Sequence, residues 1–276
     1  DDAGTAITAA ELSAIGGATG GTVVVGNVVA ITGNHDQLTA ALVTDDTKVV
    51  AGSATVTVND DAGTAVTASE LSTIGGKTSG QVTVSNAVAI TGNPEEVTAA
   101  LVTADTLVVA STAAVTITGN PSIAELNAIA AKTDGVVTAT LAATSLASLA
   151  DLTTAGTDAI TITVSDDAGD AVTASDLSTL GGKTSGTVTV SNAVVIAGDH
   201  DQLTAALVTD ETKVVASTAL ATVSDDAGTA ITAAELSAIG GKTSGTVTVS
   251  NAVAITGDHD QLTAALVTDE TKVVSS

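Results

Sequence analysis

"TVTVNDDAGTAVTASELSTIGG" occupies residues 55–76, and "QVTVSNAVAITGNPEEVTAALV" occupies 81–102. Both stretches read strand, turn, strand, short helix. Thr and Val alternate in "TVTV", the period of a strand with one buried face. "NDDAGT" and "SN" are turn chemistry. Leu71 and Ile74 stand three apart on one helix face, and Val97 and Leu101 stand four apart. Each half therefore predicts one coil of a stacked structure.

The same words recur along the chain. Asp-Asp-Ala-Gly begins at 1, 60, 166 and 225, with 59 residues between the members of the first and last pairs. A shortened repeat of 47 residues fills the wider middle gap and carries "NPSIAELNAIAAKTDG" instead. The repeats are 1–59, 60–118, 119–165, 166–224 and 225–276. Self-similarity at a fixed period points to a repeat architecture of about ten coils. The expected fold is a single β-rich solenoid with short helices (an α/β solenoid) over 1–276. A chain of small β-sandwich domains is the alternative, but the repeat is short for seven strands.

Helix starts are marked. Thr8-x-x-Glu11, Thr67-x-x-Glu70, Ser122-x-x-Glu125 and Thr232-x-x-Glu235 match the capping box, in which hydroxyl and carboxylate satisfy orphan N–H groups. Asn34, Asp199 and Asp258 are candidate N-caps for the second-half helices. Gly16-Gly17, Gly75-Gly76 and Gly240-Gly241 should end helices through a left-handed residue.

Composition narrows the function classes. The 276 residues carry a net charge of −24 and include no Cys, Met or aromatic residue. Aromatics normally supply much of a core's buried area, so their absence predicts a thin core of many small layers. The acidity disfavours nucleic acid and anionic membranes. No apolar run is long enough to insert in a bilayer. The chain opens on Asp1 with no signal peptide, as expected of a processed product or part of a longer protein.

No motif names a reaction, and an enzyme is not expected. "GGKTSG" (75–80, 181–186, 240–245) lacks the earlier Gly of a phosphate loop, since Leu71, Leu177 and Leu236 stand there. "DHDQL" (199–203, 258–262) and "NHDQL" (34–38) set His beside acids, which suits an acidic first helical turn better than a metal site. The Asp pairs Asp60/Asp61, Asp166/Asp167 and Asp225/Asp226 lack the cleft and nucleophile of a catalytic dyad. They read first as solvated turns and second as Ca²⁺ ligands, hard oxygens in a flexible loop. The shortened repeat has Thr118, Gly119 and Asn120 there and should bind none. It should keep the common cross-section with a less charged surface. Thr55/Thr57, Thr161/Thr163, Thr187/Thr189 and Thr246/Thr248 form Thr-x-Thr pairs of the kind found on ice-binding faces.

"VTASELSTIGGKTSGQVTVSNAVAITG" and "AELNAIAAKTDGVVTATLAATSLASLADL" resemble the giant, acidic, aromatic-poor tandem-repeat cell-surface proteins of bacteria, notably cyanobacteria. The resemblance covers all five repeats. It implies an extracellular structural or adhesive role and carries no catalytic residue across. A calcium-dependent ligand-binding adhesin is the alternative function and ice binding a third. The chain should also expose strand edges at Asp1 and Ser276, so the expected partner is itself, stacked end to end or continued in a longer chain.

Overall fold

The computed structural model of the chain describes residues 2–44, 48–104, 106–268 and 273–275. Asp1 and Ser276, and with them part of the expectation about the ends, lie outside the described residues. The chain divides into two compact units, Asp1–Thr140 and Leu141–Ser276. The division falls inside the shortened repeat.

In the first unit the order is β1 (Ala6–Thr8), α1 (Ala9–Gly17), β2 (Val23–Val24), β3 (Ala30–Gly33), α2 (His35–Leu38), β4 (Val49–Val50), β5 (Thr55–Val58), β6 (Ala65–Thr67), α3 (Ala68–Gly75), β7 (Val82–Val84), β8 (Ala89–Gly92), α4 (Pro94–Leu101), β9 (Val108–Val109), β10 (Ala114–Ile117), α5 (Ile123–Ala130) and β11 (Val137–Thr140). Helix α2 runs on as a π turn, Thr39–Val43. Strands β1, β3, β5, β7 and β9 pair in that order, all parallel. So do β6, β8, β10 and β11, and β2 with β4. The loop after β5 carries the chain from the first sheet to the second.

The second unit repeats the scheme with α6 (Leu146–Leu149), β12 (Ala159–Val164), β13 (Ala171–Thr173), α7 (Ala174–Gly181), β14 (Val188–Val190), β15 (Val195–Gly198), α8 (His200–Leu203), β16 (Val214–Val215), β17 (Leu220–Val223), β18 (Ala230–Thr232), α9 (Ala233–Gly240), β19 (Val247–Val249), β20 (Ala254–Thr256), α10 (His259–Leu266) and β21 (Val273–Ser275). Strands β13, β15, β17, β19 and β21 form a parallel sheet. Strands β12, β14 and β16 pair in parallel, as do β18 and β20.

This is a parallel α/β architecture of alternating β–α units with repeated halves. It corrects the expected β-rich solenoid and its β-sandwich alternative. Every strand pair described is parallel, and the chain between paired strands carries a helix, so the sandwich's hairpins do not occur among the described residues. The physical reason is that Thr–Val alternation specifies a half-buried strand but not its partner. A parallel partner needs a crossover of a dozen or more residues, and the short helices supply it. They are the covering layer of the sheets, not decoration on a β coil.

The core is a set of in-register aliphatic rows. Ile31, Val56, Val82 and Val108 stand opposite one another along one sheet, and Val66, Ile90, Val115 and Val137 along another. Leu71 and Ile74 from α3 and Val97 from α4 are fully buried with them. Outward rows are small: Thr67, Thr91, Thr116 and Thr138 form one, and Ala65, Ala89 and Ala114 the next. Thr55 stands opposite Ala30, so on these sheets the Thr row is one residue wide.

Two kinds of glycine set the close geometry. Gly63, Gly169 and Gly228 of the Asp-Asp-Ala-Gly loops have φ of 81°, 89° and 86°. With Thr64 N–H donating to the Asp61 carbonyl, this is a type II turn, whose third residue requires positive φ. The expected left-handed helix ends are corrected: Gly76 and Gly241 cap their helices in right-handed geometry, with φ of −66° and −67°. What the "GGKTSG" glycines provide is closeness. A Cβ on Gly80 would lie 2.2 Å from the Ala54 carbonyl oxygen, and one on Gly245 2.1 Å from that of Ala219.

Candidate functional site

The residues that recur with chemistry are the Asp pairs, and the structure gives each member a different setting. Asp60, in the loop between β5 and β6, is 6% exposed. Its Oδ2 accepts the backbone N–H of His35 at 2.7 Å, and its Oδ1 lies 2.6 Å from His35 Nδ1. Its own carbonyl accepts from the Asn86 side-chain amide at 2.6 Å. One carboxylate thus caps the start of α2, holds that helix's imidazole, and is itself held from the turn before β8. Asp225 repeats the arrangement with His200, at 2.8 and 2.6 Å, and with Asn251 at 2.7 Å. Asp166 accepts from the N–H of Leu146 at 2.7 Å, and its carbonyl accepts from Asn192. Asp61, Asp167 and Asp226 are exposed. Among the described residues no group of three or more His, Cys, Asp or Glu is placed to hold a metal ion.

Burial of the His35 ring opposes its protonation. The hydrogen bond and charge of Asp60, with Asp36 and Glu70, more than offset this and hold it above the usual imidazole value. His200 is raised in the same way by Asp225, Asp201 and Glu235. Glu70 and Glu235 are held below the usual carboxylate range, first by hydrogen bonds from Thr67 and Thr232. The other nitrogen, Nε2, of His35 lies 3.5 Å from Asp36. Among the described residues no hydroxyl hydrogen-bonds to it; the His–Asp pair bridges the loop after β5 to the start of α2. It serves as a clasp between successive β–α units.

The other motifs are also spent on stacking. The Thr78 hydroxyl donates to the Ala54 carbonyl, and Thr243 donates to that of Ala219. Thr184 donates to that of Ile160 at 2.7 Å. "GGKTSG" is therefore a latch onto the preceding unit, placed after a helix instead of opening one. All four expected capping boxes form, at Thr8, Thr67, Ser122 and Thr232. Asn34, Asp199 and Asp258 cap α2, α8 and α10, each with a Gln three residues on.

Sequence reasoning missed the pairing of His with Asp. Its signal was present: His35 and Asp60, like His200 and Asp225, are 25 residues apart. No helix described is long and apolar enough to cross a membrane. Comparison with protein-family models, with curated proteins and with solved structures gave no match.

Proposed function

We propose that this chain is a structural repeat element of an extracellular assembly, such as a matrix, sheath, surface layer or adhesin stalk, that associates with copies of itself end to end. The observation that carries the reading is the repeated clasp. The recurring carboxylates, Asp60 and Asp225 buried and Asp166 half-buried, each join one β–α unit to the next instead of converging on a cleft. Resemblance to bacterial tandem-repeat surface proteins supports the same role. So does exposed aliphatic surface, which recurs along the chain at Val24, Val50, Val215 and Val267. Apolar surface of this kind favours association.

Sedimentation over a wide concentration range, with electron microscopy of the same samples, tests this. The expected result is concentration-dependent linear oligomers that Val267→Glu abolishes. A monodisperse monomer at every concentration overturns the reading. A melting midpoint raised by millimolar Ca²⁺, and no longer raised in Asp61→Asn, would favour the calcium-dependent adhesin instead.

A further inference from the structure

At Asp166 the clasp is incomplete. Where α2 and α8 begin with His35 and His200, α6 begins with Leu146. Asp166 Oδ2 still caps the helix at 2.7 Å, but no imidazole faces its Oδ1. In the other two clasps that oxygen holds a ring nitrogen at 2.6 Å. Helix α6 is also only four residues long, whereas α8 runs on through a π turn to Val208. The missing turn leaves a cavity of about 320 Å³ between α6 and α7, lined by Leu146, Leu149, Val172 and Leu180, with Asp166 and Lys183 among its polar groups. Lys183 Nζ is already engaged by the Ala150 carbonyl at 3.0 Å. The other lining carboxylate, Asp176, accepts from the Thr173 hydroxyl through Oδ2.

We infer that this cavity is a binding site for a small amphipathic organic cation, free in solution. Its ammonium or imidazolium takes the place that His35 and His200 fill elsewhere, and its apolar body lies against the four aliphatic side chains. Charge favours this occupant: two carboxylates and one occupied lysine line the site, in a chain of net charge −24. A charged donor to a carboxylate makes a stronger bond than a neutral one, and the aliphatic wall rewards a hydrocarbon body.

The probe is hexylammonium, titrated at constant ionic strength and followed by amide chemical shifts, with hexanol as the neutral control. The expected result is saturable shifts at Leu146, Val172, Leu180 and Lys183, with hexanol at least tenfold weaker. Asp166→Asn should weaken hexylammonium at least tenfold. Leu146→His, which restores the imidazole from within, should abolish binding while the rest of the spectrum is kept; it decides the matter if Asp166→Asn fails to fold. The proposal is overturned by equal affinity for hexanol and hexylammonium, by unchanged binding in Leu146→His, or by shifts confined to Val267 and Val274.

Discussion

The segment "HDQLTAALV" occurs at 35–43, 200–208 and 259–267, and the last two copies live differently. At α8 the His200 side chain is 15% exposed and bound to Asp225; at α10 the His259 side chain is 90% exposed and lies 3.2 Å from its neighbour Asp260. Leu203 and Leu207 are 0% and 4% exposed, whereas Leu266 is 37% exposed and Leu262 half-buried. Identical residues, capped by the same Asp-x-x-Gln device, differ because the unit that follows α8 covers it and supplies Asp225. Burial here belongs to the stack and not to the helix.

The largest effect that can break this comparison is in the core. Leu203→Ala should cost about 2–5 kcal/mol, as truncation of a fully buried leucine does. Leu262→Ala should cost clearly less, since its site is already part open. Equal losses in denaturant unfolding would show that both helices are equally covered in solution.

Next comes the close approach of one unit's backbone to another. Gly80→Ala drives a methyl into the Ala54 carbonyl and should destabilise by about 1–3 kcal/mol. Gly21, its counterpart in the first repeat, has nothing nearer than 3.8 Å to an added Cβ, so Gly21→Ala should leave the thermal midpoint unchanged. Paired melts of the two variants measure this directly.

The smallest effect sharpens the clasp itself. His35 and His200 have raised values when folded, so their contribution is fully present below the unfolded imidazole value, about 6.5. It is lost as pH rises through the folded value. Glu70 and Glu235 are lowered, so theirs is present above the unfolded carboxylate value and lost as pH falls through the folded one. Stability should therefore be greatest in mildly acidic solution. His200→Ala should shrink the decline on the alkaline side. Stability profiles against pH for this variant and the parent chain check this; identical profiles would remove the clasp from the account.

Much of the local structure was legible in the sequence. Thr67 with Glu70, and Ser122 with Glu125, announce helix starts because the hydrogen bonds that cap a helix are made within four residues. The Thr–Val words announce strands because their period is local. The 59-residue spacing announces repetition. Strand partners were not legible. Val56 pairs with Ile31 on one side and Val82 on the other, and nothing in "TVTV" distinguishes these parallel neighbours from a hairpin partner.

The same division holds at the site. The sequence alone determined that Asp pairs recur at 60, 166 and 225 in stretches of turn chemistry. Only the tertiary structure decided which Asp of each pair caps the neighbouring unit's helix, that His35 and His200 meet carboxylates 25 residues away, and that Leu146 leaves one carboxylate facing a cavity. Caps and turns depend on neighbours along the chain. Clasps and cavities depend on the unit stacked alongside, whose arrival no local word encodes.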